Sequence, residues 1–173
     1  ANFNVGKGNA LFDIDILTHI KWSNASNLLS NNISSKLNKF DLKAPLTATC
    51  VIKGDMSVKG DPEIVVTAVI KDDQLGTSYG IVENCSFNGK FTNNYKNGLG
   101  FNDANSAIII TEFKGDYKEI PIRIPSATIN NLEKPVATGK FNSEYDVVKL
   151  GNFINEDFIK FSGGNAKVNL DFK

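Results

Sequence analysis

The sequence predicts a mainly β protein, an antiparallel curved sheet or a β-sandwich, with one short helix over about residues 25–37. Three observations carry this. Apolar residues recur at every second position in several runs, the period of a strand with one buried face. Clusters of Gly, Asn and Asp separate those runs, supplying the backbone geometry that tight antiparallel connections need. One stretch alone places its apolar residues at helical spacing.

Taken in order, "ALFDIDIL" sets Phe12, Ile14 and Ile16 against Asp13 and Asp15, and reads as a terminal strand. "SNASNLLSNNISSKLNKF" carries Leu28, Leu29, Ile33 and Leu37 at helical spacing with Ser and Asn in capping positions, which predicts an amphipathic helix lying across the sheet. Its polar face is not basic, as a membrane-surface helix would require. "PLTATCVIKG" alternates Leu46, Ala48, Cys50 and Ile52 with Thr47, Thr49 and Lys53. "PEIVVTAVIK" and "SAIIITEFKGDY" are apolar on both faces, from Ile64 to Ile70 and from Ala107 to Ile110. Such strands are expected to be covered on both sides, by a second layer, a neighbouring chain or an apolar ligand. In "VENCSFNGKFTN" the residues Cys85, Phe87, Gly89 and Phe91 share a face, so this run too is a strand.

Connections are expected at Gly54-Asp55, Gly60-Asp61-Pro62, Asp72-Asp73, Asn97-Gly98, Lys114-Gly115-Asp116 and Gly163-Gly164. Pro121 and Pro125 bracket "IRI", which predicts an edge strand or a strand break, because proline cannot donate to a ladder. A second short helix is expected in "YDVVKLGNFI", from Tyr145 to Ile154, and a closing strand in "NAKVNLDFK". "FNGKFTNNY" and "ATGKFNSEY" share Gly, Lys, Phe and Tyr at equal offsets, consistent with a repeated strand-and-turn unit or with coincidence.

A chain of 173 residues matches one domain, and we read residues 1–173 as a single β-rich domain. Its 19 basic residues balance its 19 acidic ones, so it lacks the positive field on which nucleic-acid binding relies, and no nucleic-acid partner is expected. No window approaches the roughly 18 apolar residues of a membrane-spanning helix. Two cysteines, one histidine and no CxxC give neither a disulfide framework nor a metal spacing. Cys50 and Cys85 read as two buried thiols; a bridge requires neighbouring strands. A reactive thiol needs a cationic neighbour, and no motif ties His19 to either cysteine.

Three N-x-S/T tripeptides begin at Asn24, Asn32 and Asn84, the number chance predicts in a chain with 22 Asn. Asp55, Asp61, Asp72, Asp73 and Asp116 lack calcium-loop spacing and read as turn formers. "NNYKNGLGFND" reads as a long hairpin loop. There is no glycosidase carboxylate pair, nucleophile elbow or phosphate loop, so neither an enzyme nor a cofactor is expected.

The succession "IVENCSFNGKFTN", "GFNDANSAIIITEFKGDYKEIPIRI", "INNLEKPVATGKF" and "FSGGNAKVNLDFK" resembles the AsmA-like envelope proteins of Gram-negative bacteria. The upstream "LTATCVIKGDMSVKGDPEIVVTAVIKDDQL" fits the same pattern, so the resemblance runs from Leu46 to Lys173. It implies a soluble periplasmic segment of a longer protein that is anchored to the inner membrane and works in outer-membrane biogenesis. It also implies phospholipid, or another apolar ligand, moving along an apolar β groove beside other segments of the same protein, without catalytic residues. On that reading Ile64, Val66, Ala68, Ile70 and Ile109 are the lipid-facing candidates. An adhesion or carbohydrate-binding module is the alternative, and it would show an exposed aromatic row such as Tyr95, Phe101 and Tyr117.

Overall fold

A computed structural model describes residues 2–6, 9–27, 31–155 and 157–173. Its strands are β1 (Asn2–Gly6), β2 (Asn9–Ile20), β3 (Asp41–Leu42), β4 (Leu46–Asp55), β5 (Glu63–Thr77), β6 (Gly80–Thr92), β7 (Ala107–Tyr117), β8 (Ile120–Asn130), β9 (Val136–Asp146) and β10 (Asn165–Phe172). Two helices, α1 (Trp22–Ser26) and α2 (Asn31–Leu37), lie between β2 and β3, and 3₁₀ turns span Asp103–Asn105 and Val147–Asn152. Nine strands form one antiparallel path in chain order, β1-β2-β4-β5-β6-β7-β8-β9-β10, in a curved sheet that does not close. The short β3 pairs with β5 at Leu75 and Gly76, in the lane β4 occupies farther up at Glu63–Ala68. The Asp73 carboxylate bridges that lane by accepting from the Ala44 amide at 3.1 Å. The protein is thus the open-sheet form of the predicted fold, with no second sheet among the described residues.

Directly opposed residues in antiparallel strands share a face, so the register traces each face across the sheet. One face carries the row Ile16, Cys50, Val66, Phe91, Ile108, Ile129 and Ala137. Below it run Thr18, Ala48, Ala68, Gly89, Ile110, Ala127, Gly139 and Phe172. The other face carries Leu17, Thr49, Thr67, Lys90, Ile109 and Thr128.

Period two does not hold along whole strands. Asp72, Asn84 and Glu112 adopt positive φ (48°, 51° and 56°), and register shifts fall at each of them. A further shift lies between Arg123 and Ala127 of β8. Each is a bulge, one extra residue that bends the strand, and together they cross four neighbouring strands as a belt. Each also re-phases its strand. The apolar face passes from Ile70 to Leu75 in β5, Phe87 to Val82 in β6, Ile110 to Phe113 in β7 and Ala127 to Ile124 in β8, changing parity every time. The ring stack of Phe87 on Phe113, with centroids 5.7 Å apart, sits on this seam.

The belt corrects three expectations. Asp72-Asp73 and Lys114-Gly115-Asp116 lie inside β5 and β7, and the hairpin turns fall instead at Ser78-Tyr79 and Lys118-Glu119. Turn-forming residues tolerate the left-handed backbone, and a bulge uses that tolerance as readily as a turn does. Pro121 and Pro125 belong to β8, which is interior. Pro125 lies within the register shift, where the β8–β9 ladder is interrupted, and the Pro121 carbonyl accepts from Ser143 Oγ at 2.5 Å. The two echoing segments differ in structure: 87–92 ends β6 and 93–95 enters the following loop, whereas 137–145 lies wholly within β9, so they are not one strand-and-turn unit repeated.

The predicted helix over 25–37 is two short helices, with α1 starting at Trp22. Leu28 and Leu29 lie outside the described residues. Ser26 Oγ donates to the Ser23 carbonyl at 3.1 Å, the side-chain competition that makes Ser and Asn poor in helix interiors. The helices are joined by Trp22 Nε1 donating to Leu37 O (3.1 Å) and Ser34 Oγ donating to Ser26 O (2.6 Å). Trp22 and Ala25 pack on the buried cluster of Leu42, Leu46, Ala48 and Ile70. Lys36 Nζ donates to Leu132 O at 3.0 Å in the β8–β9 turn. The helical segment therefore lies across the apolar face, as its spacing predicted. The second expected helix is the 3₁₀ turn Val147–Asn152.

Candidate functional site

The helices cover only part of the apolar face. Cys50, Val66, Phe91, Ile108, Ile110, Ile129 and Phe141 are half-buried, while Ile16 (41%) and Leu170 (53%) are exposed. A second sheet packed about 10 Å away would bury such a row. Here the surface is continuous from β2 to β10.

Four of the five candidate residues lie together on this face. Ile64 opposes Ile52, Val66 sits between Cys50 and Phe91, Ala68 between Ala48 and Gly89, and Ile70 opposes Phe87. Ile70 is buried in the core cluster, whereas Ile64, Val66 and Ala68 remain half-buried. Ile109 opposes Lys90 and Thr128, which places it on the other face. Val65 and Val69 of β5 share that second face, where Val69 is 55% exposed. Among the described residues no second sheet of this chain covers either side of the strand. Phe91, Ile108, Ile129 and Phe141, absent from the candidate set, complete the lining. Alternation in sequence is the signal for Phe91 and Ile129, the continuous apolar run gives no face for Ile108, and the joining of all of them into one row follows from register alone.

The face offers little nucleophilic chemistry. Cys85 is fully buried, and burial, reinforced by the Asp73 carboxylate, pushes its thiol up to about 12. Burial also raises the half-buried Cys50 thiol. Both are free, and β5 separates their strands by two spacings of about 4.8 Å, beyond disulfide reach. His19 opposes Thr47, with Nδ1 3.2 Å from its hydroxyl, on the face that Cys50 does not share.

Asp55 and Asp73 serve the backbone, and Asp72 and Asp116 accept from side chains across the bulges. Asp55 accepts from the Ser57 amide at 2.8 Å, and its hydrogen bonds with Ser57 hold its carboxyl below the usual value. Asp116 accepts from Asn84 Nδ2 at 2.8 Å across the bulge. Among the described residues no cluster of His, Cys, Asp or Glu suits a metal ion. Two shallow depressions of 150 and 330 Å³ open where the bulges interrupt the ladder, lined by mixed charges that include Asp72, Lys114 and Arg123 or Lys71 and Glu112.

The three aromatics of an exposed row are not together. Tyr95 and Phe101 belong to the β6–β7 loop, which wraps Asn105: its Nδ2 donates to Gly100 O (2.6 Å) and Lys96 O (3.0 Å). Tyr117 stands at the opposite end of β7, tilted against Phe153 at 5.7 Å. Among the described residues no helix is long and apolar enough to cross a membrane. No protein-family model, curated protein or solved structure matches the chain.

Proposed function

We propose that this chain is a non-enzymatic periplasmic segment of an AsmA-like envelope protein that holds phospholipid acyl chains on its uncovered apolar face. The observation that carries this reading is the single row from Ile16 to Ala137, apolar across seven strands and left half-exposed. Soluble domains rarely leave such a surface bare, and covering it is worth about 25 cal/mol per Å² of apolar area. Acyl chains match its chemistry, since they need area and shape rather than hydrogen bonds. The headgroup end would meet the polar rim, and other segments of the same protein would prolong the face from its β1 edge. Neither the high-pKa thiols nor the hydrogen-bonded aspartates compete with this role.

Native mass spectrometry of the purified protein, followed by organic extraction, tests it. The expected result is stoichiometric phospholipid, lost on Val66→Asp and retained on Ile109→Asp, which charges the opposite face. Circular dichroism of both variants separates loss of the ligand from loss of the fold. A clean unliganded mass for the folded protein would overturn the proposal.

A further inference from the structure

Among the described strands the sheet has two outer strands, β1 and β10, and β10 pairs with β9 alone. Exposed strand edges are templates for further pairing, and natural proteins usually blunt them. This one is not blunted by proline or bulge: it is regular over eight residues, with Val168 (37%) and Leu170 (53%) exposed on the apolar side. We infer that β10 pairs antiparallel with β10 of a second copy, about a two-fold axis at Asn169, making a symmetric dimer with one continuous sheet.

The strand is self-complementary in that register. Lys167 meets Asp171 of the second copy, Val168 meets Leu170, Asn169 meets itself and Ala166 meets Phe172. The existing β9–β10 pairs extend the match. Lys167 lies opposite Glu144 and Asp171 opposite Lys140, so the polar side reads Glu144, Lys167, Asp171, Lys140 across four strands, with alternating sign. On the apolar side, Gly139, Phe172, Ala166 and Tyr145 alternate small and large. Slipping the register by one pair either way breaks the charge match. One slip opposes Lys167 to Lys173, and the other leaves Lys167 against Asn169. Opposite charges facing each other stabilise a sheet and like charges destabilise it, which selects the Asn169-centred register. The two-fold axis is perpendicular to the sheet, so both apolar faces lie on the same side. The interface is isologous and closes at two copies. It holds independently of any ligand.

Sedimentation equilibrium with charge variants tests this. The wild type dimerises. Lys167→Asp alone and Asp171→Lys alone each oppose like charges twice, and each weakens self-association about tenfold or more. Mixed one to one, the two variants restore both ion pairs and form a heterodimer of near wild-type affinity. In addition, Asn169→Cys, mildly oxidised, gives a covalent dimer whose linked peptides both contain position 169. A wild type that stays monomeric at high concentration overturns the inference, as does association unchanged by Lys167→Asp or a 1:1 mixture that fails to recover. Absence of the 169–169 link overturns it even where a charge variant fails to fold.

Discussion

Gly89 and Gly139 occupy one cross-strand row yet answer different demands. A Cβ on Gly139 would lie 2.5 Å from Phe172 Cζ and 2.9 Å from the Ser126 carbonyl, because the Phe172 ring rests over the glycine of the neighbouring strand. A Cβ on Gly89 meets nothing closer than 3.6 Å. Gly139→Ala is therefore expected to destabilise the fold by about 1–3 kcal/mol through overpacking. Gly89→Ala is expected to be neutral, or to gain up to about 1 kcal/mol from reduced chain entropy. Paired thermal melts measure both. Cys85 supplies a pH prediction. Its folded pKa is raised above the ordinary 9.0 to about 12, so the folded state holds this proton more tightly than the unfolded one. The stability this confers is intact below pH 9 and is lost as pH rises toward 12. The difference in urea stability between wild type and Cys85→Ala should shift against the wild type over that range, and a flat difference would refute it. Native Cys85 should also resist thiol reagents at pH 8 until the protein unfolds.

At the scale of elements, the turn Lys118-Glu119 is the least expected connection. Both residues have positive φ, 48° and 66°, as a two-residue type I′ hairpin requires, although Asn-Gly would suit that geometry better. The Val147–Asn152 turn holds it in place: Lys149 Nζ donates to Glu119 O (3.0 Å), Asn152 Nδ2 donates to Lys118 O (3.1 Å), and Lys118 Nζ lies 4.8 Å from the Phe153 ring centre. Left-handed backbone costs an ordinary residue about 1–2 kcal/mol. Replacing the pair by Lys118→Asn and Glu119→Gly should raise stability by about 1 kcal/mol, read from the urea midpoint. No gain would mean that the clamp already offsets the strain. The bulges explain where strand reading went astray. "KDDQ" and "KGDY" carry the residue types of a turn, and only the pairing of neighbours distinguishes a turn from an extra residue inside a strand.

At the scale of the molecule, a single curved layer with one open apolar face sets the expected behaviour. The native protein should bind a hydrophobic dye such as anilinonaphthalene sulfonate without unfolding. Val66→Asp should reduce that fluorescence and Ile109→Asp should leave it largely unchanged. Equal effects from the two variants would mean that the faces are not distinct in solution. The same layer leaves β10 as an edge, so ligand and second copy meet different surfaces, one the face and the other the rim.

The alternation of Leu46, Ala48, Cys50 and Ile52, and of Cys85, Phe87, Gly89 and Phe91, was enough to determine β class, strand placement and inward-facing thiols, because period two is a local property of an extended chain. Spacing at Ile33 and Leu37 likewise marked the helical segment. Three matters were decided only by tertiary structure: that the sheet stays a single open layer, that Ile109 turns away from Val66, and that Asp72, Asn84 and Glu112 bend strands instead of ending them. Each depends on which residue of a distant strand lies opposite. Register is a relation between segments far apart in the chain, and one extra residue on either strand exchanges the faces beyond it.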